Sequence, residues 1–266
     1  MPAVGRLRYI EAAPRRDVRP RGTLMLIHAF PLNARMFEHQ LALADRGWRI
    51  IAPQLRRFDG ADDDPAARSL DDYAGDIIDL LDGLHVDNAV IGGVSLGGYI
   101  ALAMFRHDAR RFQALLLADT KSEADTPDAV EGRKRMLQLV REKGAAAVAD
   151  EMIPKLLGAT TRASQPAVVA QVRAMVLSNS TAAIADAIGA LMTRPDSTPL
   201  LASIHCPTLI LVGEEDTVTP KTLAEAMHRA IAGSELAAIP AAGHLANLEQ
   251  PAAFNAALAP FLEHRV

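Results

Sequence analysis

Short apolar runs alternate with longer helical patterns along most of the chain, and this alternation restricts the fold more than any other feature. We predict strands at Arg6–Glu11, Leu24–His28, Arg49–Pro53, Ala89–Val94, Ala114–Ala118, Thr208–Val212 and Glu235–Ile239. Helices are predicted at Leu70–Leu84, Gly97–Arg106, Thr222–Ala232 and Pro251–Leu262. Strands and helices that alternate in this way are typical of a parallel sheet covered by helices on both faces. The sequence therefore predicts an α/β protein with a mostly parallel, doubly wound sheet.

The alternation stops between residues 121 and 195. Several helical patterns follow one another there without a convincing strand, and the segment contains no Phe, Trp or Tyr. Its Met, Leu, Ile and Val residues recur at helical spacing, so most of them are expected to pack this insert onto the body, while roughly a quarter line a pocket. We therefore expect a core formed by residues 1–120 and 196–266, and a helical insert formed by residues 121–195.

Composition and charge exclude several classes of protein. The formal net charge is −4 and half of the 266 residues are hydrophobic, with basic and acidic residues interspersed, so neither a nucleic-acid partner nor a membrane partner is expected. Cys206 is the single cysteine, which rules out an internal disulfide and a Cys-based zinc site. No apolar run reaches the length of a membrane span or a secretory signal, so we expect a cytoplasmic protein. The sequence leaves open whether the chain forms a homo-oligomer.

The sharpest local motif is Gly93-Val94-Ser95-Leu96-Gly97, which lies directly after a predicted strand and directly before a predicted helix. This G-x-S-x-G pattern in that context predicts a strained turn that exposes the Ser95 hydroxyl above the sheet. Gly93 and Gly97 are required on either side because side chains there would collide with neighbouring backbone. A Gly-rich turn used only for packing or phosphate binding is the alternative, but no dinucleotide or P-loop pattern accompanies it.

A serine hydroxyl needs a base to accept its proton and an acid to orient that base. Asp216 follows the strand Thr208–Val212, and His244 follows the strand Glu235–Ile239. Because the carboxyl ends of parallel strands meet at one edge of a sheet, we expect both side chains to converge on Ser95.

These residues resemble the α/β-hydrolase superfamily over nearly the whole chain. The chain order Ser95, Asp216, His244 matches the family order, Gly213 to Pro220 looks like its acid loop, and His28 to Leu32 looks like its oxyanion loop. The branch that it resembles most contains cofactor-free haloperoxidases, aryl esterases and 3-oxoadipate enol-lactonases. The resemblance implies an α/β-hydrolase fold with a helical cap inserted after the sixth strand of that fold, and it implies no cofactor.

The same resemblance assigns supporting roles. The backbone N–H groups of Phe30 and Leu96 would form the oxyanion hole, and His28 would position the oxyanion loop through a hydrogen bond. Two departures from the family pattern occur: Ala29 stands in place of a loop glycine, and Gln54-Leu55-Arg56-Arg57 replaces the usual Asp-Leu-Arg-Gly.

Some assignments have rivals within the chain. Asp119, at the end of the strand Ala114–Ala118, is the alternative acid, although a cap-hinge or helix-capping role is preferred for it. The five histidines on helical or terminal patterns (His39, His85, His107, His228 and His264) are interpreted as surface residues, and His205, which precedes a strand, is given no functional role. An acidic run, Asp59, Asp62, Asp63 and Asp64, could suggest a calcium loop but is better explained as a solvated loop. No spaced ligand cluster predicts a metal.

We predict a serine hydrolase that cleaves small or medium apolar carboxylic esters through an acyl-enzyme intermediate, so its partner is a small-molecule ester or lactone. Enol-lactonase or perhydrolase activity on the same triad is the first alternative. For a substrate carboxylate, the candidate contacts are Arg56, Arg133, Lys134 and Arg135. A non-catalytic ligand-binding or signalling protein with the same fold is the alternative from another class.

Overall fold

The computed structural model describes residues 1–58 and 65–266 and contains one eight-stranded sheet. The acidic run at Asp59 and Asp62 to Asp64 lies outside the described residues. The strands are β1 (Ala3–Val4), β2 (Leu7–Ala12), β3 (Gly22–Ile27), β4 (Trp48–Pro53), β5 (Ala89–Val94), β6 (Phe112–Ala118), β7 (Thr208–Gly213) and β8 (Glu235–Ile239).

The sheet is mostly parallel, as the alternation predicts. Its strand order is β1-β2-β4-β3-β5-β6-β7-β8. Every neighbouring pair from β4 to β8 is parallel, whereas the pairs β1–β2 and β2–β4 at one edge are antiparallel. All residues of β5 and β7 are buried, as central parallel strands covered on both faces require. The two-residue β1 was not predicted because it is too short to show an alternating pattern.

The helices predicted around the sheet are present, with ends that differ by a few residues. They are α1 (Leu70–Gly83), α2 (Leu96–His107), α7 (Lys221–Ala230) and α9 (Pro251–His264). Helix α1 begins where Ser69 and Asp72 form a reciprocal capping box, which satisfies N–H groups that the first turn leaves free. Elements that were not predicted from the sequence include helix α8 at Ala246–Glu249 and the 3₁₀ segments at Ala34–Arg46, Ala109–Arg111 and Thr198–Ser203.

Four helices fill the segment after β6, and residues 119–207, all of which the structure describes, contain no strand. These helices are α3 (Pro127–Leu156), α4 (Ala159–Ser164), α5 (Pro166–Leu177) and α6 (Thr181–Met192). Helix α3 is kinked at Gly144, where φ is 73°, and it packs on α5 and α6 through buried aliphatic side chains. We call residues 121–195 the cap.

No single helix in the described part of the chain is long and apolar enough to cross a membrane. Helices α5 and α6 meet the length and composition criteria only as a pair, and the pair is bent by 93°.

Candidate active site

Ser95 occupies the turn between β5 and α2 in a strained backbone conformation, with φ 54° and ψ −111°. Close contact with β3 explains the flanking glycines, because an added Cβ would lie 2.3 Å from the Ile27 carbonyl oxygen at Gly93 and 2.0 Å from it at Gly97. The Ser95 amide donates to the Ala118 carbonyl over 2.9 Å, which fixes the turn against the end of β6. The turn therefore has the shape that the G-x-S-x-G pattern predicts.

The structure brings Ser95, His244 and Asp216 into one hydrogen-bonded chain. The His244 Nε2 atom lies 2.8 Å from the Ser95 hydroxyl oxygen, and His244 Nδ1 lies 2.8 Å from Asp216 Oδ2. Ser95 is 8% exposed and His244 is 1% exposed, so both side chains are buried. These are the contacts that a serine nucleophile, its base and an orienting acid require.

Asp216 is held by the loop that carries it. Its Oδ1 accepts the amides of Val218 and Thr219 over 2.8 and 2.9 Å, and the Thr219 hydroxyl donates to Oδ2 over 2.7 Å. The sequence reasoning did not single out Thr219. An Asp with a Thr three residues later in a tight loop is the signal that could have found it, since such side chains bind the local backbone and each other.

Burial and pairing act in opposite directions on the triad. Burial raises the pKa of Asp216, but the nearby His244 charge and its hydrogen bond, together with Thr219, outweigh burial and leave the pKa below its usual value. Burial lowers the pKa of His244, but the carboxylates of Asp216, Asp119 and Glu249 outweigh it and leave the pKa above 6.5. The pair thus favours an ionised acid beside a histidine that readily accepts a proton.

Asp119 lies behind the triad and does not contact the imidazole through a hydrogen bond. Its Oδ1 accepts the Gly213 amide over 2.8 Å, and its Oδ2 accepts the Ala246 amide, the first of α8, over 3.1 Å. The carboxyl is fully buried, and burial, with a contribution from the Asp216 charge, raises its pKa to about 8. Asp119 therefore links the end of β7, which precedes Asp216, to the start of α8, which follows His244. Its role is to bind these backbone amides, as a helix cap does, and not to act as a hinge of the cap.

The oxyanion candidates, Leu96 and Phe30, follow two different strands of the sheet. Leu96 is the first residue of α2, so its N–H has no acceptor within the helix. Phe30 follows β3 and lies in the wall of the cavity described below. His28 is fully buried: its Nε2 accepts the Leu55 amide over 3.3 Å, while its Nδ1 donates to the Ala29 carbonyl over 3.1 Å. Because burial lowers the pKa of His28 to about 4, it is a neutral link between the oxyanion loop and the loop after β4.

A cavity of about 590 Å³ lies between the cap and the loops that carry Phe30 and Val218, next to the loop of Asp216, and its wall does not include the side chains of Ser95, Asp216 or His244. Phe30 and Val218 line it from the body. Cap side chains complete the wall: Ala129, Gly132, Arg133, Arg135, Met136, Leu139, Glu151, Met152, Lys155 and Ile188. Four of the aliphatic cap residues identified from helical spacing are among them, so the insert supplies an apolar wall to the site.

The basic candidates for a substrate carboxylate differ in their surroundings. Lys155 pairs with Glu151, whereas Arg133 shares the single carboxylate of Asp125 with Arg194, so that this group keeps a net positive charge. Arg135 also lines the cavity and forms no ion pair among residues 1–58 and 65–266, although Glu131, one helical turn earlier, interacts with it electrostatically. Lys134 is exposed and pairs with Glu131. Arg56 is buried in a two-pronged pair with Asp76, so the structure contradicts the idea that Arg56 is available to a substrate.

The second departure from the family pattern, at Gln54 to Arg57, has structural consequences. The Gln54 side chain accepts the Ala34 amide and donates to the Phe58 carbonyl over 3.0 and 2.9 Å, so it stabilises its own loop. Arg57 has φ 67°, a conformation that favours glycine, and its guanidinium forms an ion pair with Asp186 of α6. The arginine therefore adds a link from this loop to the cap.

The remaining histidines lie away from the site. Six of them are exposed, namely His39, His85, His107, His205, His228 and His264. Within the described ranges, no group of three or more His, Cys, Asp or Glu side chains is arranged to hold a metal ion.

Comparisons with known proteins agree with this architecture. Residues 24–257 match the model of the alpha/beta hydrolase family. An esterase from Thermogutta terrifontis has 36% sequence identity and a TM-score of 0.90, covering 97% of this chain and 93% of that one. The 3-oxoadipate enol-lactonase 2 of Acinetobacter baylyi is 26% identical, with 90% and 87% of the two chains covered. A bromoperoxidase from Bacillus anthracis shares the fold, with a TM-score of 0.83 at 23% identity and coverage of 97% and 95%.

The chain belongs to the alpha/beta hydrolase family. Within it, the chain is similar to the branch of esterases, enol-lactonases and haloperoxidases, which confirms the resemblance drawn from the motifs. The protein is a hydrolytic enzyme.

Proposed function

We propose that the protein is a serine esterase that hydrolyses small or medium apolar carboxylic esters through an acyl-enzyme. The 2.8 Å contact between Ser95 Oγ and His244 Nε2 is the observation that carries this proposal. Asp216, on the opposite nitrogen, fixes the tautomer in which Nε2 is free to accept a proton.

The mechanism follows from these contacts. Ser95 Oγ attacks the ester carbonyl carbon while His244 Nε2 takes the hydroxyl proton, and Asp216 stabilises the resulting imidazolium. The amides of Phe30 and Leu96 donate to the tetrahedral oxyanion. The imidazolium then protonates the leaving alcohol, and a water molecule, activated by the same His244, hydrolyses the acyl-enzyme and releases the carboxylic acid.

The cavity supports an apolar acyl or aryl group. Its wall consists largely of Phe30 and of aliphatic cap side chains such as Met136, Leu139 and Ile188. An apolar lining with a few polar groups at the reacting end is the usual arrangement of a small-molecule site. None of the proposed steps requires a cofactor, nucleic acid or membrane partner.

Turnover of p-nitrophenyl acetate and butyrate tests the proposal. We expect the wild type to hydrolyse both, with an initial burst where deacylation is slower than acylation, and Ser95→Ala to lose almost all of the rate. Far-UV circular dichroism of the variant controls for folding. Equal rates for wild type and variant would refute Ser95 as nucleophile and favour the non-catalytic alternative.

A lactone with a carboxylate is the second candidate substrate, because Arg135 lines the cavity and forms no ion pair among the described residues. Comparison of kcat/KM for neutral esters and anionic lactones in wild type and Arg135→Gln separates the two. A loss confined to anionic substrates favours the lactonase function, and a loss on neither favours the esterase. Perhydrolase activity on the same triad is tested by adding hydrogen peroxide to the ester assay and measuring peracid.

A further inference from the structure

Glu249 is a buried carboxylate whose hydrogen bonds converge on the loop of the catalytic histidine. It is the last residue of α8 and is 1% exposed. Its Oε1 accepts the amides of Gly243 and Leu245 over 2.9 and 3.1 Å, and its Oε2 accepts the Gly158 amide over 2.8 Å. Within the described residues, none of the ion pairs includes Glu249. A buried carboxylate without a cation needs such donors, so all three amides contribute to keeping it in place.

The residue between the two bound amides is His244 itself. Its own amide donates to the Leu156 carbonyl, at the end of α3 in the cap, over 2.9 Å. The amides of Gly243, His244 and Leu245 are therefore held in succession by Glu249, by the cap backbone and again by Glu249.

The cap and the histidine loop are also in direct backbone contact. A Cβ placed on Gly243 would lie 2.3 Å from the Gly158 nitrogen, and one placed on Gly158 would lie 2.9 Å from the Gly243 nitrogen. Two glycines in contact leave no side chain between the two segments to absorb a displacement. A shift of residues 156–158 is therefore transmitted to the backbone of His244.

We propose that Glu249 is a positioning residue that fixes the His244 loop and joins it to the cap, so that the seating of the cap and the position of the imidazole are set together. The inference rests on the proposed function, in which His244 is the base. Glu249 does not touch the reacting atoms and acts only through the amides on either side of His244.

Glu249→Gln is the informative substitution because it keeps the size of the side chain and one acceptor oxygen. In one orientation of the new amide group, its oxygen still accepts the Gly243 and Leu245 amides, but its NH₂ group then faces the Gly158 N–H, so two donors oppose each other. In the other orientation, the oxygen accepts the Gly158 amide and both hydrogen bonds to the histidine loop are lost. We expect kcat for p-nitrophenyl butyrate to fall about 10- to 100-fold, since small misplacements of a catalytic group have effects of that order. KM should change by less than about threefold, because Glu249 does not line the cavity.

Glu215→Gln is the matched control. Its carboxylate also binds the cap, at the amide and hydroxyl of Thr160, but the residue is only partly buried and the carboxylate accepts no bond from the histidine loop. We measure in both variants the NMR resonance of the His244 Nδ1 proton, which reports the contact with Asp216 independently of turnover. The resonance should move or broaden in Glu249→Gln and keep its wild-type position in Glu215→Gln.

A wild-type resonance together with kcat within twofold of wild type in Glu249→Gln would overturn the proposal, and so would an equal displacement in both variants. If Glu249→Gln does not fold, hydrogen exchange of the wild type decides. The Gly158, Gly243 and Leu245 amides should exchange slowly and at similar rates, and a Gly158 amide that exchanges far faster than the other two overturns the link to the cap. If no ester is hydrolysed but the resonance moves as expected, the proposed function fails and the positioning role of Glu249 stands.

Discussion

Asp216→Asn perturbs the acid of the triad while leaving most of its hydrogen bonds in place. The Asn carbonyl oxygen can still accept the amides of Val218 and Thr219, which now bind Oδ1 at 2.8 and 2.9 Å. The new NH₂ group takes the position of Oδ2 and faces His244 Nδ1. Two donors then oppose each other unless the imidazole moves its proton to Nε2.

The magnitude follows from that exchange of tautomers. A proton on Nε2 points at the Ser95 hydroxyl over the present 2.8 Å contact, so the histidine donates where the mechanism needs it to accept. Loss of the correct tautomer in a serine triad reduces kcat by a factor on the order of 10⁴, which corresponds to about 5.5 kcal/mol of transition-state stabilisation. The cavity is untouched, so KM should stay within about threefold of wild type.

Steady-state hydrolysis of p-nitrophenyl butyrate measures the effect, with Asp119→Asn as the matched control. Asp119 is also buried and also binds two backbone amides, but it makes no hydrogen bond to the imidazole. We expect its substitution to reduce kcat by no more than about tenfold, which is about 1.4 kcal/mol. A larger loss in Asp119→Asn than in Asp216→Asn would refute the assignment of the acid.

Four further outcomes are expected. The value of kcat/KM should rise with pH through an apparent pKa above 6.5, because His244 must be neutral to accept a proton and its pKa is raised. An apparent pKa below 6.5 for this rise would contradict the prediction. Thr219→Val should lower kcat about tenfold, since a hydrogen bond to a charged acceptor is worth roughly 1.5–3 kcal/mol, with an unchanged rate as the contrary result. The pKa of Asp119 is raised to about 8 in the folded state, whereas the unfolded chain releases this proton above about pH 4. The free energy of unfolding should therefore decrease by roughly 1 kcal/mol per pH unit between about pH 4 and about pH 8. Urea titrations at several pH values measure this decrease, which should be absent in Asp119→Asn. Gly97→Ala should reduce the free energy of unfolding by about 3 kcal/mol because its Cβ meets the Ile27 oxygen, whereas Gly75→Ala in α1 has free space and should be neutral or stabilising.

The sheet could be predicted from the sequence because its central strands are buried on both faces and read as continuous apolar runs. The fully buried strand Ala89–Val94 has the predicted bounds. The strand Glu235–Ile239 also has them, although it lies at the edge of the sheet and is only partly buried. Elements without periodicity could not be found in this way. Helix α8 has only four residues, and it is held by tertiary contacts such as the bond from the Ala246 amide to Asp119.

The three triad side chains could be predicted because the ends of parallel strands place them at one edge of the sheet. Their partners could not, since the contacts depend on which backbone amides the folded loops present. Glu249 binds residues on the histidine loop and on the cap that lie 4 to 91 positions away along the chain. No spacing rule within the sequence specifies such a set, and the same holds for the link between Arg57 and Asp186.

The carboxylates around His244 explain why a fully buried imidazole can serve as a base. Burial alone would lower its pKa and oppose proton transfer from Ser95, as it does at His28, where the pKa falls to about 4. Asp216 dominates the reversal of that effect at His244, through its charge and its hydrogen bond to Nδ1. Burial raises the pKa of Asp119 to about 8, so near neutral pH that carboxyl holds a proton and adds its negative charge only at higher pH. In the proposed mechanism, the imidazolium that forms during acylation therefore meets the Asp216 charge, which is already fixed in place, and its stabilisation requires no rearrangement of the surrounding protein.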